Sequence, residues 1–392
     1  MHRAEELQMQ INDVLSCFGR CSGCILSSSE RKATSPSMGQ ATLETAIFRL
    51  KEHASSLAPL KRVNVIYGIG DHVIYGSDYL VRLHKLGSEV VRAGRPLEKN
   101  RSVVFFTTSL VGREEDVIRL LRDVKERLDG DVPFIPQVVL DGRLMNAEKF
   151  GPRWKNMVSV AKDLFGRVDL ATNLSAEAVS VMPPEQLVSF AEANGFDEVA
   201  VNWAPTIANA RHTVGDVDNI RKWLIEFDSL ADTLPWLNTT YRPVIAKMIK
   251  AAEARHGLSM QEVARDIVPE TMMKAFEVEP DGTVIPKFEA VGDVTHSARH
   301  GLRPIGHIND GPIRNLVADA ASTVSARIMA IHAKGACASC RFSPACAGTG
   351  FHVATHVGRR TRMAGDEGSC PHVAAALMER MSARVASGLP CQ

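Results

Sequence analysis

Short apolar runs rich in Val and Ile alternate with longer segments of helical spacing along the first 205 residues of the chain. The apolar runs predict six β-strands, at 6–15, 62–68, 102–110, 134–142, 168–175 and 198–205. Between these strands, apolar residues recur at helical spacing and predict helices at 41–57, 77–93, 114–128 and 185–195. Alternating strands and helices predict an α/β fold with a parallel sheet and right-handed crossovers, either open or closed into a partial barrel.

The pattern changes after residue 205. Helical spacing dominates "DNIRKWLIEF" (218–227) and "IAKMIKAAEARHG" (245–257), whereas 276–294 predicts two strands around a Pro-Asp-Gly turn. We therefore predict three regions, an α/β unit, a helical bridge and a small C-terminal α+β unit, at 1–215, 216–275 and 276–392.

The composition is that of a soluble globular protein, because 45% of the 392 residues are hydrophobic and 23% are charged. No apolar run approaches the roughly 18 residues that a membrane span needs. The N-terminus has no apolar stretch after its basic start, so no signal peptide is predicted and the expected location is cytoplasmic. The 46 basic and 45 acidic side chains are scattered, apart from "GRRTR" at 358–362, so nucleic acid is not an expected partner.

The eight cysteines form two groups near the two ends of the chain, with Cys391 left over as an idle thiol. The first group is Cys17, Cys21 and Cys24, and the second is Cys337, Cys340, Cys346 and Cys370. In a reducing compartment such groups are more often metal ligands than disulfides, so two metal sites are predicted. The first group follows the first strand and hence lies at the carboxyl edge of the sheet, where α/β proteins bind ligands.

The spacing Cys17-x3-Cys21-x2-Cys24 after a first strand resembles the cluster loop of radical S-adenosylmethionine (SAM) enzymes. The resemblance implies a partial (β/α)6 TIM-like barrel and a 4Fe-4S cluster held by three thiolates. It further implies that SAM chelates the open fourth iron, where reductive cleavage yields a 5'-deoxyadenosyl radical. A zinc site or a redox thiol pair remains the alternative for these cysteines.

The segment "YGIGDH" (67–72) at the second strand falls where this family carries a Gly-Gly-Glu-type motif. The resemblance implies that Gly68 and Gly70 let the backbone approach SAM and that Asp71 accepts from the SAM ammonium group. It also makes Arg153 a candidate for the SAM carboxylate. An ordinary Gly-rich turn is the alternative for this segment.

Polar residues close the third and fourth strands where the family places groups for the ribose and the methionine of SAM. Ser109 and Asp141 are the candidates, and an Asx turn is the alternative for Asp141. Gly23 stands where the family usually has an aromatic residue, so adenine is expected to pack elsewhere, on Phe18 or Ile25.

The C-terminal cysteines resemble part of the SPASM domain, an auxiliary iron–sulfur domain of many radical SAM maturases, and the predicted hairpin at 276–294 matches it too. Lys287 and Gly350 stand where cysteines of the first auxiliary cluster are typical. The resemblance therefore implies one auxiliary 4Fe-4S cluster, held by all four cysteines of the second group and closed to substrate. Structural zinc is the alternative.

Taken as a whole, the resemblance implies a radical SAM enzyme of oxidoreductase type with two 4Fe-4S clusters and SAM as cofactors. A peptide or protein side chain is the expected substrate; a small natural product, sugar or tetrapyrrole is the alternative. Expected partners are a flavodoxin or ferredoxin as electron donor and a separate peptide-recognition adaptor, since little chain precedes Cys17. No general acid or base is predicted. A non-catalytic iron–sulfur or zinc redox protein is the alternative of another class, and the "YGIGDH" turn counts against it.

Overall fold

The computed structural model describes residues 6–18, 26, 28–140, 151–174, 176–203, 214–234, 236–237, 242, 246, 249–250, 259–286, 304–333, 337–344, 347 and 375–388. Within these residues a nine-stranded sheet organises the fold. Its strands are β1 (Glu6–Val14), β2 (Arg62–Ile69), β3 (Val104–Thr108), β4 (Phe134–Leu140), β5 (Asp169–Leu174), β6 (Glu198–Trp203), β7 (Ala275–Val278), β8 (Thr283–Pro286) and β9 (Gly306–His307).

The sheet has the order β6-β5-β4-β3-β2-β1-β7-β8-β9. Strands β1 to β6 lie in chain order and each pairs with the next in parallel. All six strands expected from the apolar runs are therefore confirmed, as is the parallel sheet with crossovers. Closure of these strands into a partial barrel remains a prediction.

Helices of the first half lie between the parallel strands. They are α1 (Gln40–Leu57), α2 (Gly76–Ala93), α3 (Glu114–Arg127), α4 (Pro152–Phe165) and α5 (Pro184–Ala193), with short helices at Ser28–Arg31 and Ala176–Val181 and 3-10 turns at His72–Tyr75 and Lys99–Arg101. Apolar residues of these helices and alternate residues of the strands, such as Leu7, Met9 and Ile11, form one buried core. Because successive residues of a strand face opposite sides, Gln10 and Asn12 face away from Met9 and Ile11, and both are also buried.

The second half adds α6 (Val214–Leu230), a short helix Met260–Glu262, a π-helical turn Val263–Ile267, α7 (Val268–Lys274), α8 (Ile313–His332) and α9 (Ala375–Ala386). Strand β7 pairs in parallel with β1, and β8 then pairs antiparallel with β7. The predicted hairpin is thus confirmed, with Gly282 at φ +91° in its turn. This hairpin continues the main sheet, and the domain limits at 215 and 275 stay predictions.

A cluster of charges around buried Asp228 joins α6 to α9. Asp228 is fully buried and pairs with Arg242 and Arg380, each at 2.7 Å. Asp232 pairs with Arg380 at 2.6 Å and with Arg384. Asp228 of α6 and Asp232, just beyond its end, thereby hold α9 against the rest of the fold.

None of the helices in the described part of the chain combines the length and the apolar character needed to cross a membrane.

Candidate functional site

Buried polar residues gather where β1, β2 and β3 end. Asp13 lies near the end of β1, Asp71 and His72 follow β2, and Thr108 and Ser109 close β3; all are 6% exposed or less. Because the three strands are adjacent and parallel, their carboxyl ends meet at one edge of the sheet. This is the edge at which α/β proteins bind ligands.

Asp71 is held in place by donors from the end of β3. One carboxylate oxygen accepts from the Thr108 hydroxyl at 2.8 Å, and the other accepts from the Ser109 backbone N–H at 3.1 Å and from the Ser109 hydroxyl. Leu110 adopts a left-handed conformation with φ +51°, and its N–H donates to Thr108 Oγ1 at 3.0 Å. The structure thus brings together two predicted site residues, Asp71 and Ser109, and all the donors to Asp71 within the described residues are neutral.

Gly70 lets β2 pack directly against the chain that leads to the first cysteine. Its N–H donates to the Val14 carbonyl at 2.9 Å, and the Asp71 N–H donates to the Ser16 carbonyl at 2.7 Å. A Cβ atom at Gly70 would lie 2.5 Å from Ser16 O. A Cβ at Gly68 would meet Gln10 Nε2 at 3.1 Å. Gly70 is therefore required for contact within the protein, and an approach of either glycine to SAM stays a prediction.

The start of the cysteine loop is fixed by hydrogen bonds. The Cys17 N–H donates to Arg31 O at 3.2 Å, and the Ser16 hydroxyl donates to Ala33 O at 2.7 Å. The Cys17 side chain is half-buried, while Phe18 is 60% exposed. Cys21, Cys24 and Ile25 lie outside the described residues, as does Gly23.

A buried histidine connects all three strand ends. His72 Nε2 lies 3.0 Å from Asp13 Oδ1, and His72 Nδ1 lies 3.0 Å from the Thr107 carbonyl oxygen. The Tyr79 hydroxyl donates to Asp13 Oδ2 at 2.7 Å. Burial lowers the pKa of His72. The charge of Asp13 and the hydrogen bonds to Asp13 and Thr107 together raise it by more, so the pKa of His72 lies above its ordinary value.

Sequence reasoning did not select Asp13, His72, Thr107 or Tyr79. A signal was present, because Asp13 is the charged residue of the strand end "INDVL" and His72 adjoins the predicted Asp71. Two isolated polar residues of this kind do not indicate a pair without the strand register.

Of the two other predicted SAM contacts, only Arg153 lies within the described residues, and it is not brought to this cluster. Arg153 is exposed on the first turn of α4, and it makes no hydrogen bond to Asp71 or Ser109. Its neighbour Trp154 is buried instead and donates to the Ser109 carbonyl at 3.2 Å. Asp141 lies outside the described residues.

Two of the C-terminal cysteines follow α8 on a tight turn. Cys337 is buried and Cys340 half-buried; the Cys340 N–H donates to Cys337 O at 3.2 Å. Buried His332 at the end of α8 bonds through Nδ1 to Ser343 Oγ at 2.6 Å and so packs against this turn. Cys346 and Cys370 lie outside the described residues, with Lys287 and Gly350.

The donor chemistry of the described cysteines fits an iron–sulfur or a zinc site, since cysteine thiolates are soft ligands that both kinds of site accept. No three His, Cys, Asp or Glu side chains within the described ranges are placed to hold a metal ion. Each predicted metal site has at least two of its cysteines outside those ranges.

Comparison with known proteins gives a result only at the level of structure. No family model matches the sequence, and no curated protein matches it. Among solved structures, native anSMEcpe with bound AdoMet aligns over 97% of this chain and 97% of its own, with a TM-score of 0.53 and 13% identity. A hexahistidine-tagged form of anSMEcpe with bound AdoMet aligns over 98% of this chain and 93% of its own, with a TM-score of 0.55 and 13% identity. Native anSMEcpe with bound AdoMet and Cp18Cys peptide aligns over 97% of each chain, with a TM-score of 0.55 and 12% identity.

At such low identity a structural likeness shows the fold alone. The likeness nevertheless covers both the parallel sheet and the C-terminal region, so it applies to the whole chain. It agrees, at the level of the fold, with the resemblance inferred from the cysteines: the chain has a fold similar to that of anSMEcpe.

Proposed function

We propose that this protein is a radical SAM enzyme that binds SAM at the carboxyl edge of β1, β2 and β3. Cys17, Cys21 and Cys24 would hold a 4Fe-4S cluster there, and with SAM bound that cluster would supply the electron for cleavage to a 5'-deoxyadenosyl radical. The observation that carries the proposal is the buried Asp71 carboxylate, fixed by Thr108 and Ser109 beside the segment that leads into the cysteine loop.

Asp71 is suited to bind the ammonium group of SAM. A carboxylate that accepts only from hydroxyls and a backbone N–H keeps its full negative charge, whereas an arginine partner would neutralise it. Burial strengthens the attraction between that charge and a cationic ligand, because screening by water is weak inside the protein. Ser109 would act through Asp71 by holding it, and Gly68 and Gly70 would keep the backbone close.

The remaining SAM contacts are assigned from the resemblance. Asp141 would bind the ribose and Arg153 the SAM carboxylate, and Phe18 or Ile25 would pack against adenine. The exposure of Arg153 and Phe18 leaves both side chains accessible to a ligand.

The second cysteine group would bind one auxiliary 4Fe-4S cluster through Cys337, Cys340, Cys346 and Cys370. The tight turn between Cys337 and Cys340 supports two ligands from one short segment. Four thiolates leave no iron open, so the proposed role is electron transfer, with zinc as the structural alternative. The proposed units remain 1–215, 216–275 and 276–392.

The proposed substrate is a peptide or a protein side chain, which the enzyme would modify by abstraction of hydrogen, an oxidoreductase-type reaction. Support comes from the similar fold of anSMEcpe, whose structure contains the Cp18Cys peptide. A flavodoxin or ferredoxin would supply electrons, and an adaptor would present the peptide in the cytoplasm. A small-molecule substrate is the alternative.

Formation of 5'-deoxyadenosine from SAM tests the proposal. Anaerobically reconstituted, reduced protein is expected to produce it, and replacement of Cys17, Cys21 and Cys24 by Ala is expected to abolish it. Cys391→Ala is the matched control, since it removes a cysteine outside both groups. SAM cleavage that survives the triple replacement would rule out this function, and zinc in place of about eight irons would favour a structural or redox role.

A further inference from the structure

We infer that His72 is a positioning residue of the SAM site: as an imidazolium it joins Asp13, at the base of the cysteine loop, to Thr107, at the end of β3. The SAM site that His72 would position rests on the proposed function. Its protonation state follows from geometry within the chain.

The proton on Nδ1 is fixed by two acceptors. His72 Nδ1 lies 3.0 Å from the Thr107 carbonyl oxygen, which can only accept. The Thr107 hydroxyl, 3.2 Å from the same nitrogen, donates its own proton to Gly70 O at 2.6 Å, so it too can only accept from His72. Nδ1 must therefore carry hydrogen.

The other ring nitrogen also faces an acceptor. Nε2 lies 3.0 Å from Asp13 Oδ1, and a bare Nε2 would set a lone pair against a carboxylate oxygen. A proton must lie between them, in an imidazolium–carboxylate pair or an imidazole–carboxylic acid pair. The hydrogen bond from Tyr79 to the second oxygen of Asp13 stabilises the ionised carboxylate and so favours the imidazolium.

The groups around His72 agree with this assignment. Asp13 faces it from β1 and Asp71 precedes it, so two carboxylates lie near the ring. The Tyr67 ring contacts it from β2 with a centroid distance of 6.4 Å. Burial and then the charge of Asp13 raise the pKa of both Tyr67 and Tyr79, so neither tyrosine becomes an anion that competes for the proton.

The pair connects the cysteine loop to the Asp71 site. The Asp13 carbonyl accepts from the N–H groups of Ser37 and Met38, each at 2.9 Å, so the chain that leaves β1 towards Cys17 returns beside Asp13 before α1 begins. His72 directly follows Asp71 in the chain. A charged His72 also neutralises Asp13, whereas Asp71 accepts hydrogen bonds only from neutral donors among the described residues.

Two substitutions separate the contacts of the ring. His72→Asn can place an amide N–H near the position of Nδ1 and keep the bond to Thr107, whereas His72→Gln can reach the position of Nε2 and keep the bond to Asp13. Asp13→Asn removes the charges but can donate to a neutral Nε2 and still accept from Tyr79. The control is His84→Gln, because His84 is buried on α2 and bonds to the Val132 carbonyl at 2.9 Å, near the opposite edge of the sheet.

The experiment uses the full chain with reconstituted clusters and three measurements: iron per chain, the dissociation constant for SAM from its effect on the paramagnetic resonance spectrum of the reduced protein, and ¹⁵N NMR of labelled histidine. His72→Asn and His72→Gln are expected to retain iron but bind SAM about ten- to hundredfold more weakly. Asp13→Asn is expected to weaken SAM binding about three- to tenfold. His84→Gln is expected to match the wild type.

NMR at pH 7 is expected to show one histidine, identified by its loss in His72→Gln, with both ring nitrogens protonated, and with one proton only in Asp13→Asn. A singly protonated His72 in the wild type overturns the imidazolium. Unchanged SAM affinity in both His72 variants at full iron content overturns the positioning role; if those variants do not fold, unchanged affinity in Asp13→Asn does so. A wild type that does not bind SAM overturns the proposed function, while the NMR result still decides the protonation of His72.

Discussion

Carboxylates at the two edges of the sheet have different kinds of partner. At the amino edge Arg167 binds both oxygens of Asp169, at 2.8 and 2.7 Å, and Arg62 pairs with Glu98 at 2.7 Å. At the carboxyl edge Asp71 accepts only from neutral donors within the described residues. Arginine cancels the charge of a carboxylate, whereas hydroxyl and amide donors fix its position and preserve the charge. The amino edge is thus suited to stability and the carboxyl edge to a cationic ligand.

The largest effect is expected from a substitution that disrupts backbone packing at the carboxyl edge. Gly70→Ala would place a Cβ 2.5 Å from Ser16 O and 2.7 Å from Val14 O, and backbone atoms cannot rotate away as a side chain can. We expect a loss of about 3 kcal/mol in unfolding free energy by denaturant titration, together with loss of SAM binding.

Gly39→Ala is the matched control for Gly70→Ala. Gly39 has an ordinary φ of −64°, and an added Cβ would approach no atom closer than 4.0 Å. Equal stability of the two alanine variants would show that β2 does not need this close contact.

A second prediction addresses the amino edge. Arg167→Ala leaves Asp169 buried without its bidentate partner, so unfolding free energy should fall by about 3 kcal/mol. SAM affinity should not change, because Asp169 is the first residue of β5 and lies at the far edge. A weaker affinity for SAM at unchanged stability would reverse the roles assigned to the two edges.

The corresponding change at the carboxyl edge is Asp71→Ala. Removal of a charge-assisted acceptor should weaken SAM binding by about 1.5 to 3 kcal/mol, measured as the dissociation constant of the reconstituted protein. Asp71→Asn keeps the volume and loses the charge, so it should show most of the same loss. If Asp71→Asn binds SAM as the wild type does, shape rather than charge is what matters at Asp71.

A further prediction concerns pH and a histidine away from both edges. His53 of α1 bonds to the Met273 carbonyl at 2.9 Å, and burial lowers its pKa to about 4 from 6.5. The unfolded chain therefore takes up the proton first as pH falls, and the stabilisation present above pH 6.5 is lost between pH 6.5 and 4. Urea titrations across this range should show a slope of up to about 1.4 kcal/mol per pH unit from this group.

His53→Gln can keep the bond to Met273 without a titratable group. The contribution of His53 to the change of unfolding free energy with pH should therefore vanish in this variant. His72 has the opposite sign: its raised pKa gives stability that is complete below 6.5 and lost as pH rises through the folded value. An acid slope that persists in His53→Gln would assign the effect to other groups.

The sequence predicted the elements because their patterns are local. Strands such as 62–68 were found within one or two residues, as were helices such as 41–57, since period and length suffice for both. Strand β9 was missed because two residues, Gly306 and His307, carry no period.

The candidate site was predictable only in part, for reasons of register. Asp71 and Ser109 each stood out at a strand end, but their mutual contact depends on the turn at Leu110. The pairing of Asp13 with His72 depends on an irregularity in β1 between Ile11 and Val14, which shifts its register against β2. A bulge of this kind leaves no pattern in the sequence.

The position of β1 also has a consequence for how the protein folds. This strand pairs with β2 on one side and with β7 on the other, and the hydrogen bond from Asn12 to Glu279 joins residues separated by 267 positions. During synthesis, β1 therefore presents an unpaired edge beside Leu7 and Met9 until β7 has been made. Contacts of such long range slow folding and prolong exposure of that edge, so nascent chains that end before β7 should aggregate more readily than the complete chain.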